Sequence, residues 1–146
     1  MSSILLVDSF PPRRTLRESV LFRLGQGFSS ACSAVEAERV FAEMTDIALV
    51  IISSRIAGGE GSEDLGYSPN YHNDRNLDPL NGTLLASRLL AARSGFRILF
   101  LAHRVRPEVV LETFLAEHPG FKAVKALPER PESEEFLRAI QELLSW

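Results

Sequence analysis

The sequence predicts one α/β domain, built on a parallel five-stranded sheet with helices on both faces. Three observations predict it. The runs Ile4–Val7, Ile47–Ile52 and Ile98–Ala102 are apolar throughout, which suits strands covered on both sides. Stripes at helical spacing follow the strand signals. Strand and helix alternate five times within 146 residues, the pattern of a parallel sheet with helical crossovers.

The elements follow in order. Ile4–Val7 is the first strand. Pro11 and Pro12 suit the first turn of a helix; Leu16, Val20, Leu21 and Leu24 stripe it, and Gly25 to Gly27 end it. A weaker strand covers Phe28 to Cys32. Ser33 to Glu36 has the form of a capping box, ahead of a stripe of Ala37, Val40, Phe41 and Met44. Ile47–Ile52 has the character of a central strand.

Order resumes at Gly82, with Leu84, Leu85, Leu89 and Ala92 on a third helix. Ile98–Ala102 is the fourth strand, and Pro107 opens a helix carrying Val110, Leu111, Phe114 and Leu115. Ala123-Val124 is a short fifth strand closed by Lys125. Phe136, Leu137, Ile140, Leu143 and Leu144 stripe the last helix.

Composition removes several classes. A net charge of -3 with dispersed basic residues is unlike a nucleic-acid binder. Arg13, Arg14 and Arg17 sit with Glu18 on the first helix and read as a solvated face. One cysteine, Cys32, excludes an internal disulfide and a CxxC motif, and is expected buried or half-buried. The apolar run at Ile4 is too short for a signal-peptide core or a span, so a cytoplasmic protein without membrane contact is expected. No second domain is visible; residues 1–146 read as one unit.

Residues 57–81 form a long segment rich in Gly, Pro, Asn and Asp, and long loops in compact domains are functional or disordered. Both tyrosines, Tyr67 and Tyr71, lie here with His72, and suit a recognition loop. A neutral insertion is equally compatible. The Gly58-Gly59-Glu60-Gly61-Ser62 stretch lacks the ending of a phosphate loop. Neither a dinucleotide fingerprint nor a nucleophile elbow is present. His72 and His103 have no metal-ligand spacing and read as solvated; His118 precedes Pro119 at a helix end, where positive charge suits the dipole.

In such a sheet the functional crevice lies outside the carboxyl ends of the strands. That edge collects Asp8 and Ser9, Ser53 and Ser54, Ala102 and His103, and Lys125. With Leu5-Leu6-Val7-Asp8, Leu49 to Ile52, Pro79-Leu80-Asn81-Gly82 and Val124-Lys125, the chain resembles the receiver domains of bacterial two-component response regulators, from Ile4 to Leu144. The resemblance implies a flavodoxin-like (βα)5 fold with strand order 2-1-3-4-5 and, here, a long insertion after the third strand.

The family carries an acidic pair after the first strand and a phosphoryl-accepting aspartate after the third. A Thr or Ser follows the fourth, and a Lys-Pro pair the fifth. Carried over by position, Asp8 matches the first acid and Ser9 replaces the second. Ser53, 44 residues after Ser9, replaces the acceptor. Ala102 replaces the switch hydroxyl. Lys125 matches the lysine, with Ala126 in place of the proline.

Serine has no carboxylate to form an acyl phosphate. One acid in place of three is a poor magnesium site, although weak binding at Asp8 stays open. The resemblance therefore implies a degenerate pseudo-receiver: not an enzyme, without cofactor, binding a protein partner in a signalling pathway. The family's face of fourth helix, fifth strand and fifth helix would serve that contact or a homodimer.

Lys125, deprived of the acceptor, is expected to pair with Asp8, since an unpaired buried charge is costly. Ser53 is expected to bond Lys125 or nearby backbone. Two alternatives stay open: a conventional phosphorelay receiver using a displaced acid such as Asp74 or Asp78, and a small flavodoxin-like enzyme or ligand-binding protein.

Overall fold

The computed structural model describes residues 3–67 and 80–146. Five parallel strands, β1 (Ser3–Val7), β2 (Gly27–Ala31), β3 (Ile47–Ser53), β4 (Arg97–Ala102) and β5 (Val124–Pro128), form one sheet in the order β2-β1-β3-β4-β5. The helices are α1 (Pro11–Leu24), α2 (Ala34–Glu43), α3 (Leu80–Ala92), α4 (Pro107–Glu117) and α5 (Ser133–Leu144). The flavodoxin-like architecture expected from the sequence is present, with its strand order.

The apolar runs work because alternate residues serve opposite faces. Leu5, Val7, Val50, Ile52, Ile98 and Phe100 join one core, which includes Phe41 of α2, Leu85 and Leu89 of α3, and Val110 and Phe114 of α4. Ile4, Leu6, Leu49, Ile51, Leu99 and Leu101 join the other, with Leu21 of α1 and Phe136, Ile140 and Leu143 of α5. A strand polar on one side would leave one helix layer without a floor.

Local signals act as their chemistry dictates. The Ser33 hydroxyl accepts from the Glu36 amide at 3.2 Å, and the Glu36 carboxylate accepts from the Cys32 amide at 2.8 Å. Gly25 closes α1 with φ of 74°, a left-handed conformation that glycine takes without steric cost.

The structure departs from the expectations at several places. β2 starts at Gly27 and ends at Ala31, and Cys32 is exposed beyond it. The third helix begins at Leu80, two residues before Gly82. On α1 Val20, Leu21 and Leu24 face the core as expected, but Leu16 is 69% exposed and Arg17 is buried. β5 runs on to Pro128, so Lys125 is its second residue and not its last.

The start of the long segment is also ordered. Ser62–Leu65 forms a short 3-10 turn. The carbonyls of Ala57 and Gly58 accept from the first amides of α2, those of Ala34 and Val35, at 2.8 and 3.0 Å, groups that a helix leaves unsatisfied. Tyr67 is a core residue: it is buried, and its hydroxyl donates to Glu38 at 2.9 Å. Burial, with Glu38 beside it, pushes the phenol above its ordinary pKa. It is not a free recognition side chain. Tyr71, His72, Asp74 and Asp78 lie outside the described residues.

Candidate functional site

The carboxyl edge brings together Asp8 after β1, Ser53 at the end of β3, Ala102 at the end of β4, and Glu129 after β5. Lys125 is absent from this group. It stands opposite Leu99 within the sheet, and its ammonium bonds Glu142 of α5 at 2.6 Å and lies 5.3 Å from the Trp146 ring. The expected Asp8–Lys125 pair does not form. The edge position of β5 falls to Glu129 because the strand continues through Ala126, Leu127 and Pro128, with Pro128 opposite Ala102.

Asp8 is fully buried and finds its partners on α1. Arg13 holds it with two parallel bonds, Nε to Oδ2 at 3.0 Å and Nη2 to Oδ1 at 2.9 Å. Such a fork matches a carboxylate in shape as well as charge. Arg17 donates Nη1 to Oδ2, and the Phe10 amide donates to Oδ1 at 3.0 Å. Arg14 donates to the Asp8 carbonyl at 3.0 Å. The basic cluster read as a solvated face is therefore the inner face of α1, and the Arg13 and Arg17 side chains are 11% and 6% exposed.

Both arginines reach across the sheet edge to Glu129. Arg13 Nη1 donates to its carboxylate at 2.5 Å, and Arg17 Nη2 to its carbonyl at 2.7 Å. His103 Nδ1 lies 2.5 Å from the same Glu129 oxygen, so this histidine is engaged and not solvated. Arg13 thus stands as a fixed cation between two carboxylates.

Burial is the largest influence on Arg17 and pulls its guanidinium down to about 10, against the attraction of Asp8. Burial acts the same way on Arg13, but its bonds to Asp8 and the charges of Asp8 and Glu129 outweigh it and hold that group above its ordinary value. His103 is held below its ordinary value, first by burial and then by Arg13 and Arg55, with Glu129 opposing.

The hydroxyls have structural tasks or none. Ser9 donates to the Cys32 carbonyl at 2.7 Å and accepts from the Ala57 amide at 2.8 Å, tying together the segments that leave β1, β2 and β3. Ser54 accepts from the His103 amide at 2.9 Å. The Ser53 hydroxyl is buried without a hydrogen-bond partner among the described residues, contrary to the bond expected for it. Ala102 is buried and offers no polar atom. Gly82 seals this edge: a Cβ there would lie 2.7 Å from the Ser53 carbonyl oxygen and 2.8 Å from Ser54 Cα.

A divalent cation fits this arrangement poorly. Magnesium requires several oxygen ligands in near-octahedral array, and both oxygens of Asp8 already accept from guanidinium groups. Among the described residues no group of three or more His, Cys, Asp or Glu side chains is placed to hold a metal ion, and no helix is long and apolar enough to cross a membrane. Sequence reasoning missed Arg13, Arg17 and Glu129. The available signal was Glu129 directly after a strand-compatible Ala-Leu-Pro; the arginines gave none, because their partners are not sequence neighbours in any helical pattern.

The fold is that of receiver domains. The receiver domain protein of Methanospirillum hungatei JF-1 superimposes with a TM-score of 0.68 at 17% identity, over 99% of this chain and 94% of that one. The signal receiver domain of an HD domain-containing protein from Pseudomonas fluorescens Pf-5 gives 0.71 at 18%, over 99% and 94%. Chemotaxis protein CheY4 of Vibrio cholerae gives 0.68 at 17%, over 98% of each chain. No family model matches the sequence, and no curated protein matches it significantly. The likeness is one of fold.

Proposed function

We propose that the chain is a receiver-like signalling module that works through protein contacts and without aspartyl phosphorylation. One observation carries this reading: the acid retained at the carboxyl edge, Asp8, is bound on both oxygens by Arg13 and Arg17.

In a phosphoryl-accepting pocket a metal bridges carboxylate and phosphoryl oxygens, and a cation offsets the transferred charge. Here Arg13 bridges Asp8 and Glu129, and the Asp8 oxygens a metal would need are already taken by guanidinium groups. The residue at the end of β3 carries a hydroxyl in place of a nucleophilic carboxylate. An acid, Glu129, follows β5 and would repel an incoming phosphoryl group. Each change disfavours the transfer, and among the described residues they leave neither a carboxylate at the end of β3 nor a metal seat at this edge. The reading brings with it a protein partner, no nucleic acid, no membrane and a cytoplasmic location.

Incubation with acetyl phosphate and magnesium, followed by intact mass measurement, tests it. The expected result is an unchanged mass. A labile phosphate adduct mapped to a carboxylate, Asp74 and Asp78 included, would contradict it and restore the conventional receiver reading.

A further inference from the structure

Helix α1 packs Leu21 on the core, with Val20 and Leu24 beside it, yet leaves other apolar residues outside. Its buried residues are Arg17 and Leu21, while Leu16 is 69% and Phe22 79% exposed. The capping residue Phe10 is 42% exposed. Among the described residues five large apolar side chains are exposed; three belong to α1 and its cap, and α4 and β5 contribute none. The cause is the charge network. Asp8 draws Arg13 and Arg17 inward, which turns Leu16 outward; Phe22, six residues further on, points about 120° away from it.

A groove of about 440 Å³ runs between this face and the connection from β5 to α5. Phe10, Leu16, Val20, Pro131 and Phe136 give it an apolar lining; Arg23 and Arg130 also line it, as do Arg13, Arg17 and Glu129 of the charge network. Arg23 and Arg130 are exposed and make no ion pair among the described residues. Glu132, Glu134 and Glu135 follow within five residues of Arg130 and are exposed at the start of α5. The apolar strip is thus bordered by free positive charge and by free negative charge.

We propose that this face binds a second copy of the chain in a two-fold pair. In an isologous contact each patch meets its own reversed copy. A border of a single sign would repel itself. A border of two signs sets Arg23 and Arg130 of one copy against the acidic turn of the other, while Phe10 and Leu16 are covered. That complementarity selects a second copy over a uniformly acidic or basic partner. Single exposed apolar residues are ordinary on a surface; Phe10 and Leu16, both exposed and both lining one groove, mark an interface. The inference rests on this surface alone and is independent of the loss of phosphoryl chemistry.

Sedimentation velocity of the full chain from about 1 to about 300 μM tests it, a range that covers weak and moderate self-association. The expected result is a monomer–dimer equilibrium. Leu16→Glu should weaken it by about tenfold or more, with an unchanged circular dichroism spectrum because the side chain is exposed. The variant Arg23→Glu/Arg130→Glu should not self-associate, but should pair in mixture with Glu132→Arg/Glu134→Arg/Glu135→Arg. A monomer throughout the range overturns the proposal. So does a dimer that ignores these substitutions and is lost instead by changes on α4 or at Trp146.

Discussion

Arg13 grips Asp8 with a two-bond fork, 3.0 and 2.9 Å, five residues along the chain from it. The same guanidinium reaches Glu129 at 2.5 Å. An α1 side chain therefore joins the segments leaving β1 and β5. Arg17 repeats the connection one helical turn later, to Asp8 and to the Glu129 carbonyl.

Removing Arg17 takes from the buried Asp8 one of its two guanidinium partners and leaves it the Arg13 fork. Arg17→Met should cost about 1.5–3 kcal/mol, the worth of a hydrogen bond to a charged group. Asp8→Leu/Arg17→Met should cost less than the sum of the two single changes, by at least about 1 kcal/mol. Urea denaturation of the three variants measures both values.

Ser53→Ala should leave stability unchanged or raise it slightly, because the hydroxyl it removes is buried and unpartnered. Ser53→Asp should destabilise by several kcal/mol, since it places a carboxylate at a fully buried position. It should not restore phosphorylation. Thermal melts and acetyl phosphate labelling of the two variants distinguish this from a merely dormant acceptor position.

Acid should weaken the fold through His103. The unfolded histidine takes up its proton near pH ~6.5, whereas burial keeps the folded one neutral to lower pH. Between those values the folded state binds fewer protons, so stability falls as pH drops through ~6.5 and levels off below the folded pKa. His103→Gln should flatten that part of the profile, read from urea midpoints between about pH 8 and about pH 5.

Gly82→Ala should destabilise by about 1–3 kcal/mol. The added methyl would meet backbone of Ser53 and Ser54 at 2.7 to 2.9 Å, and backbone cannot swing aside as a flexible side chain can. The loss should appear in thermal melts, together with faster amide exchange at the end of β3.

Tyr67→Phe should cost about 1 kcal/mol, the net worth of one hydrogen bond. Tyr67→Ala should cost about 3–5 kcal/mol, as for a buried aromatic. Were Tyr67 a free recognition residue, both changes would leave stability untouched in urea denaturation.

The frame of the molecule was legible because its signals are local. Apolar runs such as Leu49 to Ile52 admit no arrangement but burial on both faces, and Ser33 with Glu36 marks a helix start. The charge network was not legible, because its partners are remote: Glu129 lies 116 positions from Arg13 and His103 lies 90. Leu16 fitted an apolar stripe and Arg17 a wet face, and only the buried Asp8 reverses that order. Lys125 was misplaced for a related reason. Ala126, Leu127 and Pro128 extend β5 by three residues, and that extension is fixed by pairing with Phe100, Leu101 and Ala102, not by local pattern. Tyr67 sits in a polar segment whose composition hides a side chain that enters the core.

Titration with magnesium and beryllofluoride, followed residue by residue in amide nitrogen–proton NMR spectra, is the most direct test of a pocket closed by its own arginines. The amides of Asp8, Ser53, Ala102 and Glu129 should stay in place at millimolar concentrations of both. Saturable shifts of those four signals, with slow exchange between free and bound forms, would mean that the guanidinium groups yield the pocket to a metal and a phosphoryl mimic.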